Sequence, residues 1–339
     1  MRDDDRMMDL PPEFGSGVVG VCDICGTRQA VIILAKERYK LCVIDFLNKT
    51  WIHGDKTPGA PLPLYRSERV WFETDETPDR LAPAVRLIPT KVARHPIVLV
   101  VPDVYGITTT LLDAAIRFAK EGFEVLIPDI GKTAKVGMRE HFATRMTARF
   151  RGGVDIASRP VARLVRLHQD ALDYLRTRDM VDPTKSAVFG TSYGASLALA
   201  VAAQDVQLGA AVLAYPAPTQ PPGLAMLVTS PILFVDARAD PISQRALAQF
   251  DSVRAGFKVP PEIAGFPDAR RDFLARDLPT YDLPTAEAAW TRIVAFLKRI
   301  LMPPPPRPPA PPLRSVPPTP PLAASARANP TPASAASAH

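Results

Sequence analysis

The sequence predicts an α/β fold with a mainly parallel central sheet flanked by helices, and three observations predict it. Short runs of branched apolar residues such as Ile97–Val101 carry no polar alternation, as strands buried on both faces require. These runs alternate along the chain with stretches of helical spacing, the arrangement of βαβ units. The segment Gly190-Thr191-Ser192-Tyr193-Gly194 stands between one such strand and a helix that is apolar on every side.

The elements follow in order. Val70–Glu73 and Val85–Ile88 are candidate edge strands, and Ile97–Val101 is the first inner strand. Leu111–Lys120 has helical spacing, and Phe123–Ile127 is the next strand. Between Val161 and Arg176, the residues Ala162, Val165, Ala171, Leu172 and Leu175 share one helical stripe. Ala187–Phe189 leads into the glycine segment, and Ala195–Ala203 is apolar enough to require burial. Ala210–Ala214 and Ile232–Val235 are further inner strands, Val259–Ala264 fits the last strand, and Ala286–Leu301 a closing helix. One domain over residues 69–301 results. Around it lie a flexible leader (1–17), a small cysteine-bearing unit (18–54), a proline-rich linker (55–68) and a tail (302–339).

Hydrophobic residues make up 47% and charged residues 22% of the 339, a balance that supports a buried core. Most of the excess among 38 prolines lies after Met302, where no apolar periodicity survives. That tail buries too little to offset the entropy of ordering it, so it reads as a disordered, solubilising extension. Its Arg307, Arg314 and Arg327 supply about half of the formal charge of +6. The folded part is therefore close to balanced, and no basic stripe with interleaved aromatics points to nucleic acid. The aspartate-rich start is not a secretory signal, and Ala195–Ala203 falls far short of the ~20 residues a membrane span needs. Cytoplasm is the expected location, with neither membrane nor nucleic acid as partner.

The chemistry centres on the glycine segment. A sharp turn from strand to helix places Ser192 at a helix N-terminus in a strained conformation, with glycines at Gly190 and Gly194 allowing close backbone approach. The amide of Tyr193 then points at a developing oxyanion.

With these features the sequence resembles the dienelactone hydrolase family of the α/β-hydrolase superfamily over most of Pro96–Leu301. Ile97-Val-Leu-Val-Val-Pro-Asp-Val-Tyr-Gly106 is similar to the family's first inner strand and the loop that holds its second oxyanion amide. Glu121-Gly-Phe-Glu-Val-Leu-Ile-Pro-Asp129 resembles its next strand, and Pro231-Ile-Leu-Phe-Val-Asp-Ala-Arg-Ala-Asp240 the strand that ends at the triad acid. The resemblance implies an α/β-hydrolase fold, Ser192 as nucleophile, Asp240 as acid, and the amides of Val104 and Tyr193 as oxyanion hole. It also implies esters or lactones of small carboxylic acids as substrates, with no organic cofactor. The chain departs from the pattern at three places. The family nucleophile is typically cysteine, the loop acid is usually glutamate where this chain has Asp103, and the histidine segment here reads Phe266-Pro-Asp-Ala-Arg-Arg-Asp-Phe273. Arg271 occupies the degenerate triad position.

A serine hydroxyl needs a base to take its proton, and a guanidinium stays protonated to pH above ~12. An ion pair between Arg271 and Asp240 is expected in place of the acid–imidazole contact. Of the remaining histidines, His141 lies in a lid-like insertion, His168 sits on a helix face packed beside the sheet, His95 precedes a strand and His53 belongs to the cysteine unit. Two functions remain open: an ester or lactone hydrolase using His141 or another base, or a catalytically inactive relative acting as a ligand-binding or partner-binding protein, its cleft taking a small ester, lactone or carboxylate while the cysteine unit and tail recruit partners.

Cys22-Asp-Ile-Cys25-Gly26 has the form of a zinc knuckle, whose tight turn brings both thiolates to one metal. Val31–Leu34 and Tyr39–Leu41 can pair as a hairpin around Ala35–Arg38, and Cys42 follows with Asp45 three positions on. Cys22, Cys25, Cys42 and Asp45 would close a tetrahedral structural zinc site, with His53 as alternative fourth ligand. The unit resembles a zinc ribbon, and it or the proline-rich tail offers a protein partner a docking surface.

Overall fold

The computed structural model describes residues 20–21, 29–30, 32–34, 39–41, 64–90, 94–102, 106–129, 154–276 and 278–303. Four short amino-terminal strands come first. β1 (Gly20–Val21) pairs antiparallel with β2 (Gln29–Ala30), and β3 (Ile32–Leu34) with β4 (Tyr39–Leu41). The second pair is the expected hairpin, with Ile32 opposite Leu41. Cys22, Cys25, Cys42, Asp45 and His53 lie outside the described residues, as do the leader and residues 304–339 of the tail.

The main body is built on an eight-stranded sheet. Its strands are β5 (Tyr65–Glu73), β6 (Leu81–Pro89), β7 (His95–Val101), β8 (Glu124–Pro128), β10 (Val181–Thr191), β11 (Ala210–Ala214), β13 (Ile232–Ala237) and β14 (Glu262–Phe266). The order across the sheet is β14-β13-β11-β10-β7-β8-β6-β5. All neighbours run parallel except at the β8–β6 and β6–β5 contacts, so the sheet is mainly parallel as expected. Every residue of β7, β8, β11 and β13 is buried, which is why their sequences are apolar apart from the buried His95, Glu124 and Asp236. A separate parallel pair joins β9 (Val154–Asp155) to β12 (Thr219–Gln220).

Helices cover both faces. α1 (Thr109–Lys120) and α5 (Leu283–Leu301) pack on one side, where Phe118, Phe189 and Trp290 meet edge-to-face or tilted at 5.2–5.9 Å. α2 (Arg159–Arg176), α3 (Ser192–Gln204) and α4 (Pro241–Ser252) pack on the other. α3 is buried from Ser192 to Ala202, which accounts for its apolar composition on all sides. Each large apolar side chain removed from water here contributes about 1.5–3 kcal/mol.

Two expectations need correction. The linker does not extend to residue 68: β5 begins at Tyr65, which is buried at 3% exposure. Arg66, Glu68 and Arg69 masked this strand in sequence because it lies at the sheet edge, where polar side chains face water. The last strand is Glu262–Phe266, not Val259–Ala264, because Pro260 and Pro261 cannot supply the amides a ladder requires. α4 was not anticipated. Among the described residues no helix is long and apolar enough to cross a membrane.

Candidate active site

Parallel strands all end at the same edge of the sheet, and the loops leaving β10, β13 and β14 meet there. β10 remains extended through Thr191, and the chain turns into α3 at Ser192, whose φ is +53°. A side chain in this left-handed region costs of order 1–3 kcal/mol, and the surroundings impose it. A Cβ on Gly190 would overlap the carbonyl of Gly194, and one on Gly194 would lie 2.5 Å from the Val101 carbonyl oxygen. Only glycine at both positions lets α3 start this close to β10 and β7. Ser192 is 2% exposed and stands at the positive end of the α3 dipole.

Asp240 comes from the β13 loop and caps α4. Its Oδ1 accepts from the Ile242 amide at 3.2 Å and its Oδ2 from the Ser243 amide at 3.0 Å. Beneath it, the fully buried Asp236 accepts from Ser243 Oγ at 3.0 Å and from Gln244 Nε2 at 2.8 Å. Ser243 thus holds both carboxylates, by its amide and by its hydroxyl. Sequence reasoning missed Asp236, Ser243 and Gln244. Their signal was Asp240-Pro241, an N-cap followed by proline at the first helical position, ahead of Ile242, Ala246 and Phe250 at helical spacing.

Arg271 sits in the turn after β14. The turn is anchored by Phe273, fully buried, whose ring lies 5.6 Å from that of Tyr215 and 5.5 Å from that of Phe266. The Ala239 amide donates to the Ala269 carbonyl at 2.9 Å, tying the Asp240 loop to the Arg271 loop. The guanidinium spans the two other site residues. Nη1 donates to Ser192 Oγ at 2.8 Å, and Nη2 lies 2.7 Å from Asp240 Oδ2. The second contact is ionic rather than a well-aligned hydrogen bond. Ser192, Arg271 and Asp240 form one continuous row.

The polarity of that row decides its chemistry. A base accepts a hydrogen from the serine, whereas a guanidinium carries donors only, so the Arg271 N–H occupies a lone pair of Oγ. The cation favours an alkoxide electrostatically, but it cannot take the proton, and the Asp240 carboxylate offsets its charge while bonding the guanidinium and two amides rather than Oγ. His95 does not substitute. It pairs with Val181 at the start of β10 while Val101 pairs with Gly190 at its end, placing His95 roughly 20 Å along the strand. Burial also lowers its pKa. His168 is fully buried, with Nδ1 donating to the Leu164 carbonyl of its own helix at 2.6 Å. Asp103, Val104 and His141 lie outside the described residues, and among the described residues there is no cluster of three or more metal-ligating side chains.

Comparison with known proteins agrees with this architecture. The dienelactone hydrolase family matches residues 83–301. The carboxymethylenebutenolidase of Rhodococcus opacus is 27% identical over 220 residues, covering 60% of this chain and 81% of that protein. A dienelactone hydrolase-like promiscuous phosphotriesterase from metagenomic libraries superposes with a TM-score of 0.56 at 21% identity, over 70% of this chain and 99% of that one. A hyperthermophilic esterase from the archaeon Pyrobaculum calidifontis does so with a TM-score of 0.51 at 17% identity, over 76% and 92%. At these identities the structural likeness shows the fold alone, which is of the α/β-hydrolase type.

Proposed function

This chain belongs to the dienelactone hydrolase family, and from that premise we propose that it is a relative whose cleft binds a small ester, lactone or carboxylate without efficient turnover. Ser192 and Asp240 hold the nucleophile and acid positions, the amide of Tyr193 and, as the family resemblance implies, that of Val104 would form the oxyanion hole, and Arg271 stands where the imidazole belongs. One observation carries the reading: the group hydrogen-bonded to Ser192 Oγ is the permanently charged donor Nη1 of Arg271, at 2.8 Å. Loss of one triad member lowers turnover by on the order of 10⁴ to 10⁶, the residue coming from the oxyanion hole and binding. The oxyanion amides and the helix N-terminus need no base, so an anionic or carbonyl ligand still finds partners there.

The test pairs binding with turnover. Calorimetric titration with small carboxylates and lactones is expected to show binding that weakens in Arg271→Met, while hydrolysis of an activated phenyl ester stays at the level of Ser192→Ala. Ester hydrolysis well above Ser192→Ala would contradict it. The strained Ser192, kept at φ +53°, favours a second reading, a slow hydrolase whose base is His141. In that case His141→Gln abolishes the turnover.

We also propose that Cys22, Cys25 and Cys42, with Asp45 or His53, hold a structural zinc ion. Support comes from the spacing and from the β3–β4 hairpin lying between Cys25 and Cys42, as zinc ribbons are built.

A further inference from the structure

The row of Ser192, Arg271 and Asp240 leaves the hydrogen of the Ser192 hydroxyl without an acceptor. Oγ accepts from Arg271 Nη1 at 2.8 Å, and among the described residues it has no other partner. The guanidinium cannot receive the hydroxyl hydrogen, because it carries donors only. Asp240 does not receive it either, since its oxygens accept the Ile242 and Ser243 amides and face Arg271 Nη2. Accepting from a cation polarises the hydroxyl, so its own hydrogen becomes a stronger donor. Ser192 is 2% exposed, and a donor at that depth is costly to leave unmatched. Arg271 Nε adds to the surplus, being buried with no acceptor among the described residues.

Burial and charge narrow what can match these donors. The row reaches solvent at Arg271, whose side chain is 16% exposed, so a ligand approaches from that side. The guanidinium and the Asp240 carboxylate cancel, which leaves the α3 N-terminus, equivalent to about +0.5 charge, as the local excess. A single negative charge suits that excess. A dianion such as hydrogen phosphate overshoots it, beside an Asp240 that is itself buried. An ester or lactone carbonyl can accept the hydroxyl hydrogen too, but a hydrogen bond to an ionised oxygen is roughly twice as strong.

We propose that the site is a receptor for an ionised carboxylate, which accepts the Ser192 hydroxyl hydrogen and whose charge Arg271 and the α3 N-terminus stabilise. Resting on the reading of the cleft as a binding site, this assignment goes further by choosing the free acid over its ester. Ser192 is then a hydrogen-bond donor, the reverse of a nucleophile's part.

Calorimetric titration of the full chain with phenylacetate, methyl phenylacetate and inorganic phosphate at neutral pH tests it. Phenylacetate is expected to bind roughly 10-fold more tightly than its methyl ester, and phosphate not to compete with it. In Ser192→Ala the acid is expected to weaken about 10-fold and the ester less, so that the preference for the acid disappears. Acid and ester are compared on the wild type, so the comparison does not depend on how a variant folds. Equal affinities for acid and ester, or a preference that survives Ser192→Ala, would overturn this inference and leave a cleft that binds both. Phosphate competing as well as phenylacetate would overturn the choice of a monoanion. Binding of neither acid nor ester would remove the underlying reading together with this one. Hydrolysis of the ester, absent in Ser192→Ala, would remove it by making Ser192 a nucleophile.

Discussion

Replacing Arg271 with histidine is the perturbation that most tests the reading of the site. The guanidinium bridges Ser192 Oγ at 2.8 Å and Asp240 Oδ2 at 2.7 Å through two nitrogens on a single carbon. An imidazole also carries two nitrogens on a single carbon, but one of them can accept. Asp240 would take the N–H of the ring and leave the other nitrogen free to receive the serine proton. A positioned general base is worth 10² to 10⁴ in rate, or about 3 to 5 kcal/mol at 1.36 kcal/mol per decade. The histidine stem is shorter than that of arginine and draws the ring back from Ser192, so the lower end, about 100-fold, is expected. The assay is kcat/KM on an activated phenyl ester as a function of pH. The gain should rise with deprotonation of the imidazole, near pH 6.5, and disappear when Asp240→Asn or Ser192→Ala is added. A folded Arg271→His protein no more active than Ser192→Ala would refute the reasoning. So would a wild type already as fast.

Gly194→Ala brings a Cβ to within 2.5 Å of the Val101 carbonyl oxygen. It should lower stability by about 2–3 kcal/mol, read as a reduced urea midpoint with unchanged slope. Glu76 binds Arg163 and Arg166 of α2. Burial pushes its carboxyl up, but the hydrogen bonds from Arg166 and Arg163 outweigh burial and hold it below its ordinary value of 4.5. The stability it contributes is present above that value and lost as pH falls through the depressed one. Glu76→Gln should therefore cost about 1 kcal/mol at pH 7, with the difference from wild type closing in acid, measured by denaturation at several pH values. Metal analysis should find one zinc per chain, lost in Cys25→Ser; a Cys25→Ser protein that keeps stoichiometric zinc would remove that assignment.

The inner strands were legible because burial on both faces removes polar residues, so Ala210–Ala214 appears in the structure with the bounds its apolar run suggests. The first half of β10 was not, since Asp182, Pro183, Thr184 and Lys185 fall at an irregularity in its pairing with β7. α4 was missed because Gln244, Arg245 and Gln249 interrupt its apolar stripe. At the site, Gly190, Ser192 and Gly194 identify themselves through backbone geometry that few residues can adopt. Arg271 drew notice only by resemblance, and its ion pair with Asp240 followed from charge. Its bond to Ser192 Oγ did not follow, because that depends on how Phe273 and the Ala239–Ala269 bond aim the loop. Asp236 went unnoticed because nothing in sequence separates a buried carboxylate from an exposed one.

Whether Ser192 behaves as a nucleophile is read most directly by intact-mass analysis after treatment with a fluorophosphonate, which marks a serine only when its hydroxyl is activated. A guanidinium on Oγ predicts a wild-type mass that does not change, and a new adduct on Ser192 once Arg271 is histidine. Stoichiometric labelling of the wild type, abolished by Ser192→Ala, would contradict the account.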